Sequence, residues 1–203
     1  METADLVSLN TRVLCDEEPD QVSAIYLFGQ TRDNQTSVLN RGVEILRGRS
    51  IPLVICGCGE VSGYPGVDVW RQELIQLGVL PEGILNVPSV EPLNTLTEAI
   101  GLVQEAKRKG WKTIQIVASP FHQLRAFMSV VQALKHEYPE LKVYNRVGTT
   151  LGWNEVVVHN QGTHTNIRKN FILSELERLE TYYAQGNLPT VQEALAYLDA
   201  RSF

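Results

Sequence analysis

The stretch TIQIVASPFHQLRAF, residues 113–127, contains the pattern that decides the fold. A continuous apolar run, 113–118, leads through Ser119 and Pro120 into an amphipathic segment that we expect to end near Lys135. An apolar run without alternation is typical of a strand that is covered on both faces. Ser followed by Pro predicts a helix N-cap with proline at the first helical position.

The same order of strand, polar loop and helix occurs three more times upstream. Apolar runs at 24–28, 52–56 and 84–87 each precede a loop rich in Gly, Pro, Ser or Asn and then an amphipathic segment, and a fifth run follows at 141–145. Alternating strands and helices form parallel sheets through right-handed crossovers. The sequence therefore predicts an α/β protein with a three-layer Rossmann-like fold and a mainly parallel sheet of about five strands.

The C-terminal part of the chain has a different pattern. Residues 166–184 carry apolar side chains at helical spacing, which predicts a long helix, and Gly186 and Pro189 separate it from a shorter one. We see no internal repeat or low-complexity tract that would mark a second domain. We interpret residues 1–203 as one domain with a core at about 23–145 and a C-terminal helical extension at about 166–200.

Composition excludes several classes of partner. The net charge of −5 argues against a nucleic-acid-binding surface, which usually has a basic excess. Three cysteines are too few for a disulfide framework and favour a reducing compartment. The start METADLVSLNTRVL lacks the basic and apolar regions of a secretory signal, and no apolar run approaches the length of a membrane span. We expect a cytoplasmic protein that binds neither nucleic acid nor membrane.

Candidate ligand-binding residues lie in the loops that follow the predicted strands. In an open parallel sheet, ligands bind beyond the carboxyl ends of the strands, where helix N-termini present free N–H groups. Glycines there admit the backbone-contacting part of a ligand, while polar side chains hydrogen-bond it. The predicted ligand-binding residues are Gly29, Gln30, Gly57, Gly59, Asp68, Asn94, Thr95, Glu98 and Ser119.

His122 and Arg125 are the candidate catalytic residues. They are three residues apart and therefore share one face at the start of the predicted helix. The helix dipole there favours a neutral imidazole, and a neutral histidine beside a guanidinium suits an anionic or polar ligand. On this interpretation His122 acts as general acid or base and Arg125 clamps an anionic group. The alternative is that Arg125 only pairs with an acid such as Asp68 or Glu98.

Two other motifs have structural interpretations that need no ligand. Thr95 with Glu98 fits the S/T-x-x-E capping box, with Asn94 as the alternative cap. Cys56 and Cys58 have no second cysteine pair for zinc and are interpreted as small buried residues. The glycine-rich loop after them matches neither G-x-G-x-x-G nor the Walker A motif, so it is either a ligand loop or a plain turn.

The stretch VVVHNQGTHTN, residues 156–166, contains two of the four histidines. Because the four are scattered, a metal-dependent hydrolase is disfavoured and we predict no metal site. We favour a polar loop for His159 and His164, with Thr165 and Asn166 capping the long helix. One further strand that ends at the same cleft is the open alternative.

Five motifs in order resemble one known family. They are LFGQ (27–30), CGCG (56–59), the acid Asp68, NTLTEA (94–99) and ASPFHQLRA (118–126). From about Ser23 to Asn145 their order is similar to that of the YdcF-like family, a domain of unknown function shared with SanA and ElyC proteins. Thr97 and Glu98 stand where that family has Glu and Asn. The family's arginine early in the first helix is absent here, with Arg32 and Arg41 nearby.

The resemblance implies a Rossmann-like fold with a cleft at the strand ends. It also implies a nucleotide-type ligand, since S-adenosylmethionine binding is associated with the family. We therefore expect a small-molecule-binding protein, an enzyme that acts on a nucleotide-like or phosphorylated metabolite. The alternatives are a non-catalytic ligand-binding or sensor domain and, third, an S-adenosylmethionine-dependent transferase. The usual glycine-rich loop of that third class is not met, because residues 30–34 contain no glycine.

Overall fold

The main sheet has five parallel strands. The computed structural model describes residues 3–88, 91–159 and 163–201. The strands are β1 (Ala24–Leu27), β2 (Leu53–Cys56), β3 (Ile84–Val87), β4 (Thr113–Ala118) and β5 (Lys142–Val147), in the spatial order β3-β2-β1-β4-β5. The five predicted strands are confirmed with small differences at their ends. β1 and β2 are buried along their whole length, as their continuous apolar sequences predict.

Helices cover both faces of this sheet. They are α1 (Thr3–Leu14), α2 (Arg32–Leu46), α3 (Val67–Gln76), α4 (Thr95–Lys109), α5 (Gln123–Glu137), α6 (Phe171–Ala184) and α7 (Val191–Arg201). The core on one face includes residues of α1, α4, α5 and α7, and the core on the other face includes residues of α2 and α3. The predicted three-layer Rossmann-like fold is confirmed. Within the described part of the chain, no helix is both long and apolar enough to cross a bilayer.

The strand order places a crevice at the centre of the sheet. β1 pairs with β2 on one side and with β4 on the other, so the chain builds outward from β1 in both directions. Where the order of a parallel sheet reverses in this way, the loops after the two central strands diverge and leave a ligand-sized gap. The gap here lies beyond Leu27 of β1 and Ala118 of β4.

The helix after β4 begins later than the sequence predicts. We expected Ser119 as N-cap and Pro120 as the first helical residue, but α5 begins at Gln123 with His122 before it. The Ser119 hydroxyl donates to the Gln30 side chain (3.0 Å) instead of capping a helix, and the Gln123 side chain accepts from the backbone N–H of Ala118 (2.7 Å). The prediction was wrong because these two side-chain contacts, one local and one with Gln30 of the turn after β1, hold the strand end in a turn.

The C-terminal part contains a hairpin where we favoured a polar loop for His159 and His164, so that prediction was wrong. β6 (Val156–His159) and β7 (His164–Ile167) pair in antiparallel register, which confirms the alternative of a further strand at Val156. Thr165 and Asn166 lie in β7, so the prediction that they cap the long helix was wrong. A 3₁₀ turn at Arg168–Asn170 precedes α6. Thr31 and Asp33 near the start of α2 hydrogen-bond the backbone of Val158 and hold this hairpin against the main domain.

Candidate functional site

A cavity of about 100 Å³ opens at the carboxyl edge of the main sheet. Turns after β1, β2, β3 and β4 all contribute to its wall, together with residues of β6 and α6. The predicted site residues that line it are Gly29, Gln30, Asn94, Thr95, Glu98, His122 and Arg125. Side chains separated by almost a hundred residues in sequence thus meet at the crevice that the strand order predicts.

Four predicted ligand residues do not line this cavity. Gly57 donates its backbone N–H to Val87 (2.8 Å), and a Cβ at Gly57 would lie 2.7 Å from that carbonyl oxygen. Glycine is therefore needed there so that the ends of β2 and β3 can approach. Ser119 is fully buried beneath Gln30, Asp68 is exposed in the first turn of α3, and Gly59 has open space around it.

Asn94 caps α4, and Thr95 and Glu98 in the first turn of that helix line the cavity. The Asn94 side chain accepts from the backbone N–H groups of Leu96 and Thr97, and the Thr97 hydroxyl accepts from the Asn94 N–H. The capping box is therefore Asn94 with Thr97, so the alternative cap is confirmed and the Thr95–Glu98 box was wrong. Thr95 and Glu98 are one turn apart at the start of α4. Neither side chain takes part in the capping box, and both line the cavity.

Glu98 is a buried carboxyl group whose ionisation is poised near neutral pH. Its Oε1 accepts hydrogen bonds from the backbone N–H of Gly29 (2.8 Å) and from the Tyr26 hydroxyl (3.0 Å). Burial raises the pKa of Glu98 to about 7, although these two hydrogen bonds and the charge of Arg125 act in the opposite direction. A carboxyl group with that pKa can accept and donate a proton at physiological pH.

His122 is held as a neutral hydrogen-bond donor. The Gln30 amide nitrogen lies 2.9 Å from His122 Nδ1 and 3.5 Å from the carbonyl oxygen of Phe28, so it donates to Nδ1. The imidazole proton is therefore on Nε2, which lies 3.2 Å from the Thr95 hydroxyl oxygen. Burial, and next the charge of Arg125, lower the pKa of His122 well below its ordinary value. The imidazole thus orients Thr95.

Arg125 is paired with an acid that sequence reasoning did not name. Its Nε and Nη2 donate to the two carboxylate oxygens of Glu175 in α6, at 2.6 and 3.1 Å. The proposed partners Asp68 and Glu98 were wrong for this ion pair. The remaining Nη1 donates to the Thr95 hydroxyl (2.5 Å). Thr95 Oγ1 therefore accepts from both Arg125 and His122, which leaves its own hydrogen available to a ligand.

Glu175 joins the C-terminal elements to the cavity. Besides Arg125, its Oε1 lies 3.3 Å from His159 Nε2 and 3.4 Å from Arg178 Nη1. Burial alone would raise the pKa of Glu175, but the charge of Arg125 and a hydrogen bond from His159 hold it well below its ordinary value. Glu175 is therefore an ionised carboxylate that contacts Arg125, His159 and Arg178. The neutral His159 ring packs edge-on against Phe121, with centroids 5.0 Å apart.

The sequence analysis missed the residues that α6 and the hairpin contribute. Glu175, Arg178 and Tyr182 lie at i, i+3 and i+7, so they share one face of α6, and the last two line the cavity. That polar spacing was the available signal. His159 also lines the cavity, whereas His164 is exposed in β7.

The charges around the cavity favour an anion. Arg125 and Arg178 contribute two positive charges, while Glu175 contributes one negative charge, and Glu98 is neutral when protonated. Arg178 is a quarter exposed, so it lies between the cavity and solvent. The two arginines of α2 do not line the cavity. Arg32 is exposed, and Arg41 donates to the carbonyl oxygen of Val147.

The cavity is smaller than sites that enclose a whole cofactor. Its volume of about 100 Å³ is below the roughly 300–1,000 Å³ of sites that enclose drug-sized ligands. Among the residues that the structure describes, no group of three or more His, Cys, Asp or Glu side chains is placed to hold a metal ion. No family model matches the chain, and no curated protein matches it either.

Proposed function

We propose that this chain binds a small anionic metabolite, phosphorylated or nucleotide-like, and transfers a proton on it through Glu98. One observation carries the proposal. Two guanidinium groups, Arg125 and Arg178, and a buried carboxyl group, Glu98, converge on one cavity, and the ionised Glu175 pairs with both guanidinium groups without lining the cavity itself. The motif resemblance to the YdcF-like family and the strand order, whose crevice is a usual place for nucleotide phosphates, support the ligand class.

In this proposal the two arginines bind the anionic head at different depths. Arg125 is fixed by Glu175 and Thr95, so its guanidinium is held in place before the ligand arrives. Arg178 makes one long contact at the mouth and can turn toward an incoming oxygen. A preorganised cation and an adjustable one together suit a phosphate or carboxylate group.

Glu98 is the proton-transfer group in this proposal, and His122 has a positioning role. The proton of His122 is on Nε2 and is donated to Thr95, so the imidazole has no basic nitrogen directed at the cavity. Glu98 keeps one carboxylate oxygen for a ligand because its two hydrogen bonds both end on Oε1.

The proposal also includes a cytoplasmic location. The three cysteines are free thiols, which supports a reducing compartment.

Sulfate is a suitable probe of the anion site because its charge is constant between pH 6 and 8. Isothermal titration calorimetry of the full chain at pH 6 is expected to show sulfate binding that Arg178→Ala weakens by about tenfold or more, since it removes a charged hydrogen bond. Arg108→Ala is the matched control. Arg108 is exposed on α4 and about 20 Å from Thr95 along that helix. Equal affinity in all three proteins rules out this anion site.

The protonation of Glu98 should control the same affinity. Sulfate is expected to bind about tenfold more weakly at pH 8 than at pH 6, because ionised Glu98 cancels the net positive charge of the cavity. Glu98→Gln should remove most of this pH dependence. An unchanged pH dependence in that variant contradicts the assignment.

The catalytic half of the proposal needs a turnover assay. A panel of phosphate esters and nucleotides is expected to include a substrate whose kcat falls by about 10²–10⁴-fold in Glu98→Gln. Sulfate binding without turnover of any panel member would instead indicate a non-catalytic binding or sensor domain.

A further inference from the structure

Cys56 and Cys58 place two thiols in contact at the end of β2. Their sulfur atoms are 3.3 Å apart, and the side chains are buried, with 2% and 6% of the residue exposed. The distance between the sulfurs exceeds a disulfide bond of about 2.0 Å by little more than 1 Å. Both cysteines are free thiols here, and neither lines the cavity of the proposed site.

The two thiols are chemically unequal. The hydrogen bond between the sulfur atoms lowers the pKa of Cys58 and raises that of Cys56. The thiolate is the reactive form of cysteine, so Cys58 is the nucleophile of the pair and Cys56 stays protonated beside it. Cys58 is also the more exposed of the two, and the next residue, Gly59, is exposed. We expect a small reagent to reach Cys58 from this side.

We propose that Cys56 and Cys58 form a peroxide-reactive dithiol that closes to a reversible intramolecular disulfide. A low-pKa cysteine beside a second thiol is the arrangement that oxidation-sensitive sites use. The oxidant is hydrogen peroxide or an organic hydroperoxide. The proposal concerns a covalent modification and does not depend on the ligand or reaction proposed for the cavity.

The oxidation of the two thiols by the peroxide takes two steps. The Cys58 thiolate attacks one peroxide oxygen, the O–O bond breaks, and the leaving hydroxide takes a proton to become water, which gives a sulfenic acid at Cys58. The Cys56 sulfur then attacks the Cys58 sulfur, the S–O bond breaks, and the departing hydroxide takes the Cys56 proton. Two thiols have lost two electrons and two protons, and the peroxide has become two molecules of water, or water and an alcohol.

Formation of the disulfide would change the wall of the cavity through Tyr64. The Tyr64 hydroxyl donates to the carbonyl oxygen of Cys56 (3.1 Å), and the Tyr64 ring lines the cavity. The same ring packs edge-on against Trp70, with centroids 5.1 Å apart. We expect the approach of the two sulfurs to shift the Cys56 peptide and its contact with Tyr64.

Peptide mapping tests the proposal directly. The native full chain is treated with hydrogen peroxide, denatured, alkylated and digested with trypsin, which leaves Cys56 and Cys58 together in the peptide 50–71 and Cys15 in the peptide 13–32. We expect peptide 50–71 to lose the mass of two hydrogen atoms and both alkylation sites, and dithiothreitol to restore them. Oxidation of Cys15 with peptide 50–71 still fully alkylated overturns the proposal.

Three variants separate the roles of the cysteines. In Cys56→Ser, Cys58 should stop at the sulfenic acid and react with dimedone, whereas in Cys58→Ser the remaining Cys56 should stay a thiol. Cys15→Ser is the control and should form the disulfide as the unsubstituted chain does. A dimedone adduct on Cys56 in Cys58→Ser would contradict the assignment of the nucleophile. Tryptophan emission should change on oxidation only where the disulfide forms, and no change would rule out the route through Tyr64 and Trp70.

Discussion

At the scale of single residues, Glu98 shows how a site residue can oppose stability. It is buried with its ionisable group in a low-dielectric environment, and two hydrogen bonds do not fully replace the lost hydration. The folded chain therefore resists ionisation of this carboxyl group, while the unfolded chain ionises it at the ordinary pKa. The free energy of unfolding therefore falls as the pH rises from the ordinary pKa to the folded one, and it stays lower above that.

Glu98→Gln is expected to stabilise the protein in a pH-dependent way. A glutamine oxygen can keep both hydrogen bonds to Oε1 and removes the cost of ionisation. Because the folded pKa of about 7 lies above the ordinary 4.5, the gain is absent below pH 4.5. It grows to roughly 3 kcal/mol by pH 7 and is constant above that. Urea unfolding at pH 4.5 and pH 8 measures it.

The exposed Glu60 supplies the control for that measurement. Glu60→Gln should change the free energy of unfolding by less than about 0.5 kcal/mol at either pH. An equal effect of Glu98→Gln at both pH values would mean that Glu98 ionises normally in the folded protein.

Glu175→Gln is expected to act in the opposite direction. The substitution leaves the buried guanidinium of Arg125 without a counter-charge, which costs about 3–5 kcal/mol of unfolding free energy. Since the folded pKa of Glu175 is depressed, its stabilising effect is present above the ordinary carboxyl range and is lost as the pH falls through the lowered value. Chemical denaturation at pH 7 checks the cost. Glu177→Gln, exposed on the same helix, should be nearly neutral, and similar losses in both would refute the ion-pair argument.

At the scale of elements, α6 shows where an apolar pattern misleads. The helical stripe that the sequence predicts contains Phe171 and Leu179, which are buried, but also Ile172, Leu176 and Tyr183, which are 44%, 39% and 51% exposed. Glu175, a charged residue outside that stripe, completes the buried face. The ion pair between Glu175 and Arg125 sets the rotation of the helix, because leaving either charge buried without its partner is very costly.

Helix α2 packs so closely on the sheet that one position favours glycine. A Cβ at Gly42 would lie 2.7 Å from Leu27 Cδ2 and 3.2 Å from Leu53 Cδ2, and both leucines are fully buried. Helix propensity favours Gly42→Ala by about 1 kcal/mol. Overpacking of a core costs typically 1–3 kcal/mol, so we expect a net loss of stability of about 1 kcal/mol.

Thermal unfolding of Gly42→Ala measures the balance between these two effects. Thr36→Ala, an exposed position in the same helix, should be neutral or slightly stabilising because only propensity changes there. A Gly42→Ala protein that is more stable than the original chain would show that α2 moves away from β1 at little cost.

At the scale of the whole molecule, the two ends of the described chain meet at β5. Arg201 of α7 donates to both carboxylate oxygens of Asp16, and its guanidinium lies 4.0 Å from the centroid of the Tyr144 ring. Asp16 also accepts from the backbone N–H of Asn145 (2.8 Å). The ion pair is almost fully buried, so it fixes α7 and the segment after α1 against the edge of the sheet.

Removal of Arg201 should therefore lower the free energy of unfolding by more than removal of a surface arginine in the same region. Arg201→Ala leaves Asp16 buried without a counter-charge and should lower the unfolding free energy by about 3–5 kcal/mol. Arg12→Ala breaks the exposed pair with Asp199 and should cost at most about 1 kcal/mol. Urea unfolding compares the two, and equal costs would contradict a structural role for the buried pair.

Much of the framework could be predicted from the sequence, because local patterns carry it. The continuous apolar runs indicate strands covered on both faces, and the loops after them contain most of the cavity wall. The partners could not be predicted in the same way. Neither the pairing of Arg125 with Glu175 nor the contact of Glu98 with Gly29 leaves a local signal, since each joins residues at least fifty positions apart.

The sequence by itself determined which segments become strands and helices, because backbone preference and hydrophobic periodicity act over a few residues. Only the tertiary structure decided what His122, Arg125 and Glu98 do. The pKa values of His122 and Glu98 depend on burial and on the charge of Arg125, and the hydrogen bonds of the three residues reach the turn after β1, α4 and α6. Electrostatic interactions act through space, so the chemistry of this cavity is a property of the assembled fold.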